Sequence, residues 1–400
     1  MTTTDPTPRT PRRSDPAGPP RTALFGVANL VVVTCLALAS WYLLADPTTS
    51  PWHFYPLPFN AALFWGILFI VFAGFVCEFT GFDRLRRPAR GLALLAATFL
   101  FGIAVTAVLA LGLGARNADF AADRPGGLGY FAGALFVLFG FGTWVMSVLN
   151  WRHWPWPQLG LRQPLAGLCE IVVIAIPTLA LYLVIGLPAF STTAHDPLMS
   201  GDTVLGWFYS IVVIVILTGQ CLDNQPWQFL GGDRPGRVAA ISTVGNVLAG
   251  TALYYAFLPL TKLLIGSAAT AELGPAIHQF PAQLGVCWAF WMIFWANAFA
   301  NLPTSLGTVA NHAARTAITF ALAVATFLLY YRFAAQNVLH EPAAATGIHG
   351  NALGFLDWMV LWTLLYVVGF ESIGLRRWST EVSAAPRPTP RRRSGRAARR

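Results

Sequence analysis

Histidine with a proline two or three residues further along occurs in four segments that are predicted below to lie in turns on the same side of the protein. The four segments are His53-Phe-Tyr-Pro56, His195-Asp-Pro197, His278-Gln-Phe-Pro281 and His340-Glu-Pro342. Neutral imidazole binds transition metals, and it changes charge near neutral pH. We therefore take His53, His195, His278, His340 and His349 as candidates for a metal site or for pH sensing.

Carboxylates stand near some of these histidines, at Asp196, Glu341 and Asp357, and would supply oxygen ligands. The spacing of the histidines matches no zinc or copper signature, so the identity of a bound transition metal is left open. In the interpretation that we favour over a metal site, each histidine caps or hydrogen-bonds the proline-initiated helix that follows it.

Two carboxylates lie more than a helical turn inside long apolar runs, Glu170 and Asp357. A charge that faces lipid is costly, so such residues tend to face the interior of a helix bundle and to mark a functional path. Trp291, Trp295 and Asn297 share another run, where packing and hydrogen bonds between helices are the favoured interpretation and an aromatic wall or a polar path is the alternative. All five residues are candidates for substrate binding or ion coupling.

Several familiar catalytic motifs are absent from the sequence. It contains no GxxxxGK[ST], no GxGxxG, no HExxH and no GxSxG. These motifs hold nucleotides, zinc or a serine nucleophile in other proteins. Nucleotide hydrolysis by this chain alone is therefore not expected.

The elements that must position these residues are transmembrane helices. Of the 400 residues, 56% are hydrophobic and only 11% are charged, against about 25% charged in ordinary soluble domains. Ten apolar runs reach the roughly 17–25 residues that a helix needs to cross a bilayer. They lie near 23–45, 58–79, 91–113, 129–150, 165–187, 203–222, 238–264, 282–302, 315–333 and 352–374. The sequence predicts an all-α, polytopic helix bundle.

Arginine indicates the orientation of this bundle, because cytoplasmic segments retain basic residues during insertion. Most of the 26 basic residues lie in the two tails and in the loops after the second, fourth, sixth and eighth runs. Both termini are therefore predicted to be cytoplasmic, in the cell membrane, with the His-Pro segments on the outer side. We call that side the outer end of the bundle and the opposite side its inner end.

The two tails account for much of the net charge of +9. Residues 1–21 and 379–400 are rich in Pro, Arg, Ser and Thr, which predicts disorder, and residues 22–378 form the membrane domain. Basic segments that flank transmembrane helices are attracted to anionic lipid. We predict that contact for the tails, and no nucleic acid.

The His-Pro segments also suggest five tandem helical hairpins, with chance similarity as the alternative. Three functions from different classes remain. The favoured one is a permease for a small solute, with the buried carboxylates in its path. The others are a membrane enzyme with a histidine and carboxylate site on the outer face, and a non-catalytic membrane component. A permease predicts that Glu170 or Asp357 faces a cavity, and an enzyme predicts that several outer histidines converge.

Overall fold

The computed structural model describes residues 19–86, 88–191 and 197–370, in which ten long helices form an all-α bundle. Several of these helices end in a π-helical turn that continues the same rod, and the two parts are given one label here. The helices are α1 Pro19–Leu44, α2 Phe59–Val76, α3 Ala89–Leu113, α4 Leu128–Leu149, α5 Leu165–Phe190, α6 Gly201–Cys221, α7 Pro235–Ile265, α8 Phe280–Ala298, α9 Thr308–Asn337 and α10 Ala352–Gly369.

Short elements fill the connections between the long helices. They are the helices Gln225–Gly231 and Ser267–Leu273, the 3₁₀ turns Ala118–Phe120, Pro125–Gly127 and Gly274–Gln279, and the antiparallel strands β1 Ala343–Ala345 and β2 Ile348–His349. The two strands form a hairpin at the outer end, immediately before α10.

Nine of the ten helices in the described residues are long and apolar enough to cross a membrane, and α8 is the exception. It carries three tryptophans, Gln283 and Asn297, which lower its hydropathy. Yet 15 of its 19 residues are buried. Because other helices surround α8, its surface contacts protein and need not be as apolar as a surface that faces lipid.

The boundary predicted for the ninth run was wrong by about two turns. The run was placed from residue 315, whereas α9 begins at Thr308. The first turns of α9 are polar, and their side chains are used at the inner end of the bundle. Asn311 accepts a hydrogen bond from the backbone N–H of Leu306 at 3.1 Å, and Arg315 donates to the backbone carbonyl of Asn301 at 2.6 Å.

Helices at the centre of the bundle, called inner helices, alternate along the chain with helices at its periphery, called outer helices. In the most apolar 18-residue stretch of each helix, between 61% and 89% of the residues are buried in α2, α4, α6 and α10. The buried share is only 22–33% in α1, α3, α5, α7 and α9. With the buried α8, every even-numbered helix is therefore an inner helix. Each predicted hairpin contributes one outer helix and then one inner helix.

The five inner helices form a closed ring. Helix α2 packs against α4, α4 against α6, α6 against α8, α8 against α10, and α10 returns to α2. The outer helices cover the joints of this ring: α3 contacts α2 and α10, α5 contacts α4 and α2, and α1 contacts α8 and α10. A ring of this kind encloses an axis, and side chains from five separate hairpins meet there.

Large apolar side chains cover the outside of the bundle. Leu100 of α3, Ile176 of α5 and Leu248 of α7 are each about two-thirds exposed. A continuous apolar surface of this extent is unstable in water and is covered by lipid in a membrane. The chain is a multi-pass membrane protein. The predicted tails lie outside the described residues, except that the backbone of α1 already begins at Pro19.

Close contact between α6 and the outer end of the bundle depends on Gly206. A Cβ at this position would overlap the backbone carbonyl oxygen of His278, which no side-chain rotation can move away. We expect Gly206→Ala to destabilise the protein by about 2 kcal/mol, as overpacking a tight interface does. Gly112→Ala is the control, because a Cβ there meets no atom within 4 Å. Equal thermal unfolding temperatures in detergent for the two variants would show that this contact is not tight.

Candidate functional site

A cavity of about 70 Å³ lies on the axis of the ring. All five inner helices contribute to its wall, for example through Ile67 of α2, Leu138 of α4, Val212 of α6, Ile293 of α8 and Val360 of α10. A water molecule needs about 10–15 Å³ of such volume. The cavity is therefore large enough for several waters or for one small solute.

Only two of the sixteen residues that line the cavity have polar side chains, Asp357 of α10 and Tyr209 of α6. The hydroxyl of Tyr209 donates a hydrogen bond to Oδ1 of Asp357 at 3.3 Å. Among residues 19–86, 88–191 and 197–370, no basic side chain forms an ion pair with Asp357. A buried carboxylate without a cation is costly, so this group favours a proton or a bound cation.

Helix α10 is oriented by contacts on the side that faces α1. Asn351 caps its N-terminus by accepting a hydrogen bond from a backbone N–H of the first turn. The indole N–H groups of Trp358 and Trp362 both donate to the hydroxyl of Ser40, at 3.0 and 2.9 Å. These bonds fix the rotation of the helix, and Asp357 then faces the axial cavity.

A second buried carboxyl group, Glu341, lies at the outer end, just before β1. The hydroxyls of Tyr55 and Tyr330 donate to it, the latter at 2.7 Å, and the backbone N–H of Asn351 donates at 3.0 Å. Burial raises the pKa of Glu341 from 4.5 to about 7, although these three hydrogen bonds oppose the shift. His349 is adjacent, with Nδ1 3.0 Å from the backbone carbonyl oxygen of Glu341.

His340 forms a hydrogen bond with the buried Asp46 in the loop after α1. Its Nδ1 lies 2.7 Å from Oδ2 of Asp46. Burial alone would raise the pKa of Asp46, but hydrogen bonds from Thr48, Thr49 and His340 outweigh it and lower that pKa. These contacts hold the loop after α1 against the loop after α9.

The remaining candidate histidines lie apart from this pair. His278 shares a hydrogen bond of 2.7 Å with the hydroxyl of Tyr254, and His53 is exposed in the loop before α2. His195 lies outside the described residues. Within the described ranges, no group of three or more His, Cys, Asp or Glu side chains is placed to hold a metal ion. Among the candidate histidines, His349 thus contacts the backbone of Glu341, His340 contacts Asp46, and the others lie elsewhere.

Glu170 lies at the inner end and does not line the axial cavity. It is 1% exposed, accepts a hydrogen bond from Ser147 at 2.6 Å, and pairs with Nδ1 of His153 at 2.9 Å. Burial would lower the pKa of His153, but the carboxylate of Glu170 raises it overall. The pair joins α4, the loop after it and α5.

The remaining candidates on α8 also lie away from the axial cavity. The indole of Trp291 donates to Thr326 of α9 at 2.8 Å, and that of Trp295 donates to the backbone carbonyl of Leu302 at 2.6 Å. The amide of Asn297 donates at 2.8 Å to a backbone carbonyl within α8. These three contacts favour the packing interpretation, because each of these N–H groups is already hydrogen-bonded within the protein.

Sequence reasoning singled out Asp357 but missed its partner Tyr209, and it treated Glu341 only as a neighbour of histidines. The tyrosine carries no recognisable signal, since it is one of ten in the chain. The position of Glu341 did carry a signal of function, although not of burial, because this residue lies between His340 and a proline in a recurrent segment. No protein-family model matches this chain, and neither a curated protein nor a solved structure matches it.

Proposed function

We propose that the protein is a permease for a small solute that binds in the axial cavity. The observation that carries this proposal is the position of Asp357, the one ionisable acid on a cavity wall to which all five inner helices contribute. Ligand sites in helix bundles are built between facing helices, and they combine apolar walls with a few polar groups. Following the arginine asymmetry, we place both termini in the cytoplasm and the bundle in the cell membrane.

Polar groups at the outer end of the cavity support a route to it. Gln283 of α8 accepts hydrogen bonds from the hydroxyl of Tyr331 at 3.1 Å and from the backbone N–H of Leu353 at 3.3 Å. Leu353 itself lines the cavity. A solute that enters from the outer end would therefore meet buried polar groups before it reaches the apolar chamber and Asp357.

Transport can be tested by filling the cavity. Full-length protein in proteoliposomes would be given a panel of small radiolabelled solutes that includes organic cations, carboxylates, amino acids and sugars. We expect at least one solute to enter faster than into empty vesicles. Ala289→Val and Ala134→Val, which add methyl groups to the cavity wall from two different helices, should reduce that rate at least tenfold.

Val309→Phe is the matched control, because Val309 is 81% exposed on α9 and far from the cavity wall. It should leave the rate unchanged, and monodisperse elution with an unchanged unfolding temperature would show that the alanine variants are folded. If no solute of the panel enters faster than into empty vesicles, or if folded cavity-filled variants transport like the wild type, the permease proposal is wrong and a non-catalytic role is favoured.

A further inference from the structure

Within the part of the chain that the structure describes, no basic side chain pairs with the carboxyl group of Asp357 to balance a negative charge. It is 7% exposed, and its hydrogen bond within the described residues comes from a neutral hydroxyl, that of Tyr209. The other titratable side chain close to it is the buried Cys287 of α8, and the lining residues from α2 and α4 are all apolar. Neutralisation must therefore come from outside, either as a proton or as a cation.

The walls of the cavity favour an organic cation over a metal ion. Ca²⁺ takes six to eight oxygen ligands, and Mg²⁺ demands an octahedral set, whereas this cavity offers one carboxylate and one hydroxyl. Phe64, Phe131 and Phe141 contribute aromatic rings to the same wall. Aromatic faces attract organic cations, and quaternary ammonium groups above all, while apolar walls accept alkyl substituents.

We propose that the axial cavity exchanges one proton for one small organic monocation, of the alkylammonium or guanidinium type, at the carboxylate of Asp357. This inference rests on the proposed permease function and names its substrate class and its coupling. One carboxylate accepts either one proton, on an oxygen, or one monovalent cation beside it. The proton released when the cation binds leaves to solvent on the side from which the cation came. The exchange is therefore electroneutral, with one positive charge moving in each direction.

Proton release provides the most direct test, because it needs no transport. Tetramethylammonium chloride would be added to the detergent-solubilised full chain in weakly buffered solution that contains a pH indicator. We expect release that saturates at up to one proton per chain, none from Asp357→Asn, and normal release from Glu272→Gln, whose carboxyl lies at the exposed surface. Asp357→Glu keeps the carboxyl group and should release protons as the wild type does, in contrast to Asp357→Asn.

Flux then tests the coupling. In proteoliposomes at internal pH 6 and external pH 8, tetramethylammonium or guanidinium should accumulate, up to about 100-fold for one-for-one exchange across two pH units. Both cations are permanently charged, so passive entry as a neutral base does not contribute. Accumulation should disappear with nigericin, persist when the membrane potential is clamped with valinomycin and potassium, and be absent in Asp357→Asn.

The outcomes separate this inference from the proposed function. If neither cation releases protons or accumulates while another solute of the panel is transported, the exchange proposal is wrong and the permease stands. If Asp357→Asn, folded by elution and thermal unfolding, accumulates either cation like the wild type, the carboxylate is not the exchange site. If no solute moves at all, both proposals fail.

Discussion

Asn150→Leu is expected to lower the free energy of unfolding by about 3 kcal/mol. Asn150 follows the last residue of α4, and its side chain makes three buried hydrogen bonds. Its amide donates to Thr218 at 3.1 Å and to Asn224 at 3.0 Å, and its carbonyl oxygen accepts from Asn246 at 3.0 Å. These bonds tie the inner end of α4 to α6, to the segment after α6 and to α7.

Leucine has a similar size but cannot make the hydrogen bonds that join Asn150 to Thr218, Asn224 and Asn246. Asn224 and Asn246 are 2% and 0% exposed, so water cannot replace the lost contacts. A buried polar group left unpaired costs about 1–3 kcal/mol, and side-chain hydrogen bonds between membrane helices are worth about 0.6–2 kcal/mol each. The loss is partial, because Asn224 still donates to the backbone carbonyl of Asn150.

Unfolding in mixed micelles with increasing denaturing detergent would measure this effect. Asn337→Leu serves as the control, since Asn337 is exposed at the end of α9 and its amide makes a hydrogen bond within that helix. We expect the control to remain near the wild type. In a double-mutant cycle, Asn150→Leu and Asn246→Leu should cost less together than the sum of the single changes. Equal unfolding curves for Asn150→Leu and Asn337→Leu would contradict a structural network here.

The fold could be predicted because the bilayer leaves a chain of this composition few choices. An apolar run of about twenty residues must satisfy its backbone as a helix, so the helices and the hairpin order follow from the runs alone. The closed ring of inner helices does not follow, because it depends on which side of each helix packs. Helix α8 shows the limit: the sequence left both packing and a ligand wall open for Trp291 and Trp295, and it did not show that Trp291 contacts Thr326 on a helix further along the chain.

The candidate site was only partly predictable for the same reason. By sequence, Glu170 and Asp357 are equivalent, since each is one acid in an apolar run. Their environments differ through tertiary contacts: His153 pairs with Glu170, whereas Asp357 meets Tyr209, 148 positions away. The spacing of apolar residues in the sequence predicts neither His153 nor Tyr209 as a partner. Loop composition likewise gave no sign that Glu341 is buried, because Tyr55, which covers it, comes from another hairpin.

The second large effect concerns Glu341 and pH. The pKa of a glutamate in an unfolded chain is about 4.3, whereas burial raises it to about 7 in the folded protein. The folded state therefore binds this proton more tightly than the unfolded state does. The contribution of this bound proton to stability is fully present below about pH 4 and declines as the pH rises to about 7, by roughly 3–4 kcal/mol in total.

Glu341→Gln should remove this decline, because an amide stays neutral. Its carbonyl oxygen can accept from Tyr55 and from the backbone N–H of Asn351, while its NH₂ group donates to the hydroxyl of Tyr330. We expect the wild type to lose stability between pH 5 and pH 8, and the variant to lose much less and to be the more stable protein at pH 8. Thermal unfolding in detergent across this range would measure the difference.

Other groups with shifted pKa values do not explain a difference in pH-dependent stability between the wild type and Glu341→Gln. The lowered pKa of Asp46 acts in the opposite sense, so its contribution is lost only as the pH falls below about 4. The raised pKa of His153 adds a decline above about pH 6.5, but that decline is common to both proteins. Glu272→Gln, a change at an exposed carboxyl group, should leave the wild-type profile intact. Parallel stability profiles for Glu341→Gln and the wild type would mean that Glu341 is already charged at pH 5. In that case its three hydrogen-bond donors, rather than its burial, would determine its pKa.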